Sequence, residues 1–311
     1  MRFSLHALVL LSGLFFCNHS YGQAWVQPPG HAYMKVSYGS STARDQYAFD
    51  GRRKPYADDV QGNAFFDRSM YFYGEFGLLP TLTLSATAAY KRTIVTDGSF
   101  RYESGAMGDS ELGLRWSPSM VKRWLPSGGS ASLNLKAGLP TGYARNITPA
   151  PGEGPASATL SLDYGQSLSG WGYTQVGLGY RVRTGWYGLS SAVPCEPGVD
   201  RTCVADERPD LGDEVVGRAE LGVRPWPWLL VQGQGELVWS PEAPTVGFAV
   251  GQTQPVHRRW LRTNVGLLVE PVQHLGLSAT VGGTIWGQNT VRSFDVFFGI
   301  STDFQLWSSG G

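Results

Sequence analysis

The chain has 311 residues, and its 25 basic and 25 acidic side chains balance to a net charge of zero. That balance excludes a nucleic-acid partner, which would call for a basic surface. Hydrophobic residues reach 42%, yet polar residues break every apolar run beyond the N-terminus, so no helical membrane span is encoded.

The N-terminus reads as a leader. Arg2 precedes an apolar run from Leu5 to Phe16, and Asn18-His19-Ser20-Tyr21-Gly22 follows. A basic start, a short apolar core and small residues before a cut predict a signal peptide over residues 1–22 and a mature chain from Gln23. The run is shorter than the about 20 residues a spanning helix needs. Cys17 does not mark a lipoprotein, because Phe15 and Phe16 stand where small residues are required. Residues 23–30, containing Pro28-Pro29, precede the first strand, and they belong either in the periplasm or tucked into a lumen.

A period of two then takes over. Met70, Phe72, Phe76 and Leu78 share one face of an extended segment, and Tyr71, Tyr73 and Glu75 share the other. After Leu79-Pro80, the residues Leu82, Leu84, Ala86 and Ala88 alternate with Thr81, Thr83, Ser85 and Thr87. Such alternation makes strands with one apolar and one polar face. It predicts strands near residues 31–39, 69–78, 81–93, 108–116, 130–139, 157–166, 173–183, 214–224, 229–239, 260–270, 275–285 and 294–304. Each has close to the 9–11 residues with which a tilted strand crosses hydrocarbon. The expected fold is all-β: a transmembrane antiparallel up-and-down β-barrel of about 12 strands over residues 31–307, with a tail at 308–311.

The connections alternate in length. Long ones are expected at 40–68, 94–107, 140–156, 184–213, 240–259 and 286–293. Short ones fall at 79–80, 168–172, 225–228 and 271–274, and residues 117–129 make a longer exception. Outer-membrane barrels keep short turns in the periplasm and long loops outside. This places both termini in the periplasm of a Gram-negative bacterium. Aromatics sort to the same two ends, as amphipathic rings do at membrane boundaries. Trp116, Tyr164, Trp171, Trp226, Trp228 and Trp307 belong to the short-turn end, and Tyr38, Tyr90, Trp186, Trp239, Trp260 and Trp286 to the other. The last strand ends on Phe304, which resembles the terminal signal read by barrel-insertion machinery.

Charged residues opposite the apolar face must point inward, because lipid cannot solvate them. The candidate lumen residues are Lys35, Glu75, Asp109, Glu111, Arg115, Lys136, Asp163, Arg181, Arg218, Glu220, Glu236 and Arg262. Their signs interleave, without the single-sign ring of an ion-selective constriction. Inward glycines, among them Gly113, Gly177, Gly282 and Gly299, lower side-chain volume and favour a passage. About twelve strands fall between barrels filled by side chains and wide aqueous pores, so a narrow lumen, or one blocked by a loop or the N-terminus, is expected. Cys195 and Cys203 flank a Pro-Gly turn and are expected to pair in an oxidising compartment.

Two stretches carry a family resemblance. Gly105-Ala-Met-Gly-Asp-Ser-Glu-Leu-Gly-Leu-Arg-Trp116 resembles the Gly-x-x-Gly-Asp strand start of the outer-membrane family named for the "MetA-pathway of phenol degradation". Leu139-Pro140-Thr141-Gly142 looks like its second motif. The resemblance implies an outer-membrane barrel linked with uptake of aromatic or other hydrophobic compounds. The expected function is a channel for passive passage of small solutes, hydrophobic or aromatic ones included. Its partners are outer-membrane lipid and the solute, and it uses no cofactor. An adhesive or structural barrel acting through its outer loops is the alternative. A hydrolase is a second one, but no Gly-x-Ser-x-Gly elbow occurs, and only His31, His257 and His274 follow the leader. No catalytic or metal-binding residue is assigned. His257 and Ser240 share one outer loop and are the pair a hydrolase would use.

Overall fold

The computed structural model describes residues 24–57, 60–97, 100–144, 149–184, 211–242, 245–247, 253–255 and 257–307. The leader, Cys195, Cys203, Trp186 and the tail lie outside them. Alternating segments pair as antiparallel neighbours in chain order: β1 (His31–Tyr47), β2 (Phe65–Leu79), β3 (Leu82–Asp97) and β4, built from Phe100–Met107 and Asp109–Trp116 joined at Gly108. They continue as β5 (Gly129–Pro140), β6 (Ser157–Ser167), β7 (Gly172–Arg183), β8 (Glu214–Trp226) and β9 (Leu229–Trp239). The last three are β10 (Arg259–Val272), β11 (Leu275–Gln288) and β12 (Thr290–Gln305). Strand β12 pairs back onto β1 from His31↔Gln305 to Tyr47↔Thr290, so the 12-stranded sheet closes and has no edge. Short pieces decorate it: Arg53–Pro55 adds to β1, Thr245–Gly247 pairs with Thr253–Pro255, and Val121–Trp124 forms a 3₁₀ turn.

The wall is inside-out relative to a soluble domain. Leu178 and Phe298 are 64% and 60% exposed on the outer face, whereas Thr83 and Asp163 are fully buried inside. Leu, Val and Phe side chains on the outer face have no protein to cover them, and a band of that kind is stable only against lipid. Aromatics mark its two rims. Trp226 stacks on Trp228 with centroids 5.8 Å apart at the short-turn end, and Trp239 stacks on Trp286 at 6.0 Å at the other.

Four expectations change. Residues 94–107 are not a loop: β3 and β4 pair as far as Asp97↔Phe100. Residues 286–293 are not a long loop either, because β11 and β12 extend to a tight corner with Asn289 at φ 49°. Asparagine tolerates this left-handed conformation better than most residues. Trp260 is not in the outer belt. It pairs with buried Val238, and the Arg262 guanidinium lies 5.2 Å from its ring centroid. Finally, the inward glycines do not hold a passage open. A Cβ on Gly177 would collide with Asp163 and crowd Arg218, and one on Gly282 would strike Asn264. Side chains from adjacent strands, from Ser85 at Gly113 to Asp163 and Arg218 at Gly177, occupy the room these glycines leave.

Candidate functional site: a plugged lumen with an outer chamber

Residues 24–30 enter the barrel from the short-turn end. Two prolines and the lack of any period of two keep this stretch out of the wall, so its backbone groups need partners elsewhere. Inward-facing side chains supply them. The Ala24 N–H donates to Gln175 Oε1 at 3.2 Å, and Ser130 Oγ donates to the Ala24 carbonyl at 2.7 Å. Arg115 donates to the Trp25 carbonyl at 2.8 Å. The Gln27 N–H donates to Thr83 Oγ1 at 2.8 Å, and Gln27 Nε2 donates to Glu75 Oε2 at 2.8 Å. The Gly30 N–H donates to the Gly77 carbonyl at 2.9 Å and ties the segment to β2.

Trp25 anchors this plug. Its ring meets Tyr173 edge-on at 5.9 Å and packs on the cluster of Tyr173, Leu230 and Leu268. Two wall positions are glycine because the plug lies against them. A Cβ on Gly165 would collide with the Trp25 ring, and one on Gly77 would collide with the Pro28 carbonyl oxygen.

An ion-pair chain runs behind the plug. Glu75 accepts from Arg115 at 2.7 Å, and Arg115 donates to Asn134 Oδ1 at 3.0 Å. Asn134 donates to Asp163 at 2.5 Å, and Arg218 donates to the other Asp163 oxygen at 2.7 Å. Charges buried this deeply persist only when each is paired and hydrogen-bonded. Glu75, Arg115, Asp163 and Arg218 therefore form one structural unit. Glu220 accepts from Tyr173 Oη and from Gln232 at 3.2 Å. Lys35 reaches across Gly299 on β12. Exposed Glu236 lies in register between Arg218 and Arg262, and Arg262 pairs with buried Asp295 at 3.5 Å.

A second layer of ion pairs stands at the long-loop end. Buried Glu214 pairs with Arg181 at 3.1 Å, Arg183 at 3.3 Å and Arg258 at 3.0 Å. Arg258 also forks onto Glu153 at 2.6 and 3.1 Å. This draws the β5–β6 loop toward the segment before β10, four strands away. The same loop is held from behind: the Glu153 N–H and Tyr143 Oη both donate to Asp109 at 2.6 Å. Against this latch, lined by its Glu153 and Arg181, lies a chamber of about 390 Å³ walled by Phe65, Tyr71, Lys91, Asp109, Glu111 and Pro151. Glu111 stands 4.0 Å from Lys136.

Burial pushes the Glu153 carboxyl up, but Arg258 outweighs it and holds the group at about 2. A depressed acid contributes its pairing above the ordinary carboxylate range and loses it only as pH falls through the folded value. The Glu153–Arg258 pair, followed through the Glu153 carboxyl carbon by NMR, is therefore expected to hold from neutral pH down through about pH 4. It should collapse only near the lower value.

Charge alternation located the ion pairs, but it could not find Trp25, Gln27, Thr83, Ser130 or Gln175. These are neutral residues whose partners lie 48 to 151 positions away. Of the hydrolase pair, the Ser240 hydroxyl donates to the Asp213 carbonyl at 3.1 Å rather than to a base. His274 pairs with Asp303 at 2.8 Å, at the opposite end of the barrel.

No family model and no curated protein matches this chain. Solved structures do match it. The COG4313 outer membrane channel from Pseudomonas putida F1 is similar with a TM-score of 0.69 at 15% identity, over 92% of this chain and 99% of that one. The KdgM porin in complex with disordered oligogalacturonate gives 0.47 at 8%, over 87% and 99%. The CymD monoaromatic hydrocarbon channel gives 0.41 at 8%, over 91% and 90%. The first likeness shows the fold: an antiparallel barrel of the outer-membrane type.

Proposed function

We propose that this chain is an outer-membrane channel for passive passage of small solutes, aromatic or hydrophobic ones included, with both termini in the periplasm and no cofactor. The observation that carries the proposal is the occupant of the lumen. It is a short segment held by side-chain hydrogen bonds and one ring, and it contributes no strand to the wall. A barrel meant only as a scaffold could fill that space with its own side chains, as eight-stranded barrels do. The similar Pseudomonas protein is an outer membrane channel, which agrees with this reading. The aromatic wall of the chamber, Phe65 and Tyr71, favours ring-bearing solutes, as does the resemblance around Gly105–Trp116.

The test is entry into liposomes carrying the refolded barrel. It compares a small sugar with a monoaromatic compound too polar to cross lipid unaided. The aromatic should enter faster than in protein-free liposomes, and the sugar should gain only when the plug is removed. If neither gains even without the plug, the channel reading fails.

A further inference from the structure

One connection at the short-turn end breaks the pattern of its neighbours. The others turn within a few residues of the aromatic rim. Residues 117–128 instead run out through a 3₁₀ turn at Val121–Trp124, none of whose residues is buried. Trp124 is 82% exposed and Met120 64%. Exposed Lys122 and Arg123 stand between them, and no acidic residue occurs from Ser117 to Gly128. A single exposed apolar side chain needs no explanation. A Trp and a Met bracketing two cations beside a membrane boundary form the amphipathic pattern that binds anionic lipid surfaces.

Hydrogen bonds place the turn outside the lumen. Gln166 shares the outward face of β6 with Leu160 and Leu162, and its Nε2 donates to the Ser127 carbonyl at 2.8 Å. The Ser117 N–H donates to the Thr81 carbonyl at 2.9 Å, and that anchors the other end to the next turn. Trp116, the preceding residue, is already part of the exposed rim. The turn therefore continues the lipid-facing surface instead of covering the plug.

We propose that residues 117–128 form a foot that binds anionic phospholipid in the facing leaflet. Met120 and Trp124 enter the interface, and Lys122 and Arg123 bind headgroup phosphate. The proposal rests on the reading of this chain as an inserted outer-membrane barrel whose short turns face the periplasm. Lys122 and Arg123 are themselves trypsin sites, which makes the foot measurable. The full-length barrel is placed in nanodiscs of phosphatidylcholine alone or with phosphatidylglycerol, where both faces are accessible.

Cleavage at Lys122 or Arg123 should be about tenfold slower in the phosphatidylglycerol discs. The variant Met120→Ser/Trp124→Ser, which keeps both sites, should lose that protection. Equal cleavage in both discs overturns the proposal. Equal protection in both leaves no role for the phosphates and overturns it as well. A barrel that fails to enter either disc would count against the membrane reading, and a heat-modifiable band on a gel separates that outcome from the others.

Discussion

Deleting residues 24–29 is expected to raise single-channel conductance by about tenfold, because the lumen of a twelve-stranded wall is wide enough for solutes once emptied. The plug is poised for this. Its six hydrogen bonds are worth about 1 kcal/mol each, with more for the charged Arg115, and burying Trp25 adds about 2 kcal/mol. Ordering six residues costs about 1–2 kcal/mol apiece, or roughly 6–12 kcal/mol in all. The two sides nearly cancel. A small push at the plug should therefore open the lumen.

Gly77→Val supplies that push, since any Cβ there meets the Pro28 carbonyl. The variant should conduct like the deletion while keeping the heat-modifiable gel band of a folded barrel. Planar-bilayer recordings of both would decide. Unchanged conductance in both variants would count against the channel reading.

The second large effect concerns Glu214. Glu214→Gln should cost the barrel about 3 kcal/mol, measured by urea unfolding in lipid vesicles. It removes the shared partner of Arg181, Arg183 and Arg258 from a fully buried site. Glu236→Gln is the contrast. That carboxylate is exposed, and its loss should stay within about 0.5 kcal/mol. Equal effects at the two positions would mean that the ion pairs of the outer layer are incidental.

Much of the wall was legible in the sequence. Each strand of a membrane barrel must face lipid on one side, so its alternation is imposed residue by residue and needs no knowledge of neighbours. This is why Phe72 and Glu75, or Leu84 and Thr83, could be assigned opposite faces from the chain alone. Trp260 was misplaced because an aromatic near a strand end looks the same whether it serves a rim or a lumen cation. Only its pairing with Val238 distinguishes the two. The glycines misled for a related reason. An absent side chain signals space, but Asp163 and Arg218 from adjacent strands had already taken the space at Gly177.

The sequence by itself determined the class, the number of strands, the two ends of the barrel and the sign of nearly every inward charge. Those follow from the contrast between lipid and water acting on one residue at a time. The tertiary structure alone decided what the lumen contains. Residues 24–30 have no periodicity to read, and their partners Thr83, Arg115, Ser130, Gln175 and Tyr173 converge only when β12 closes on β1. The Glu153–Arg258–Glu214 latch is likewise a product of closure, since it joins loops separated by four strands of wall. Local chemistry sets the faces of a barrel; ring closure sets which groups meet inside it.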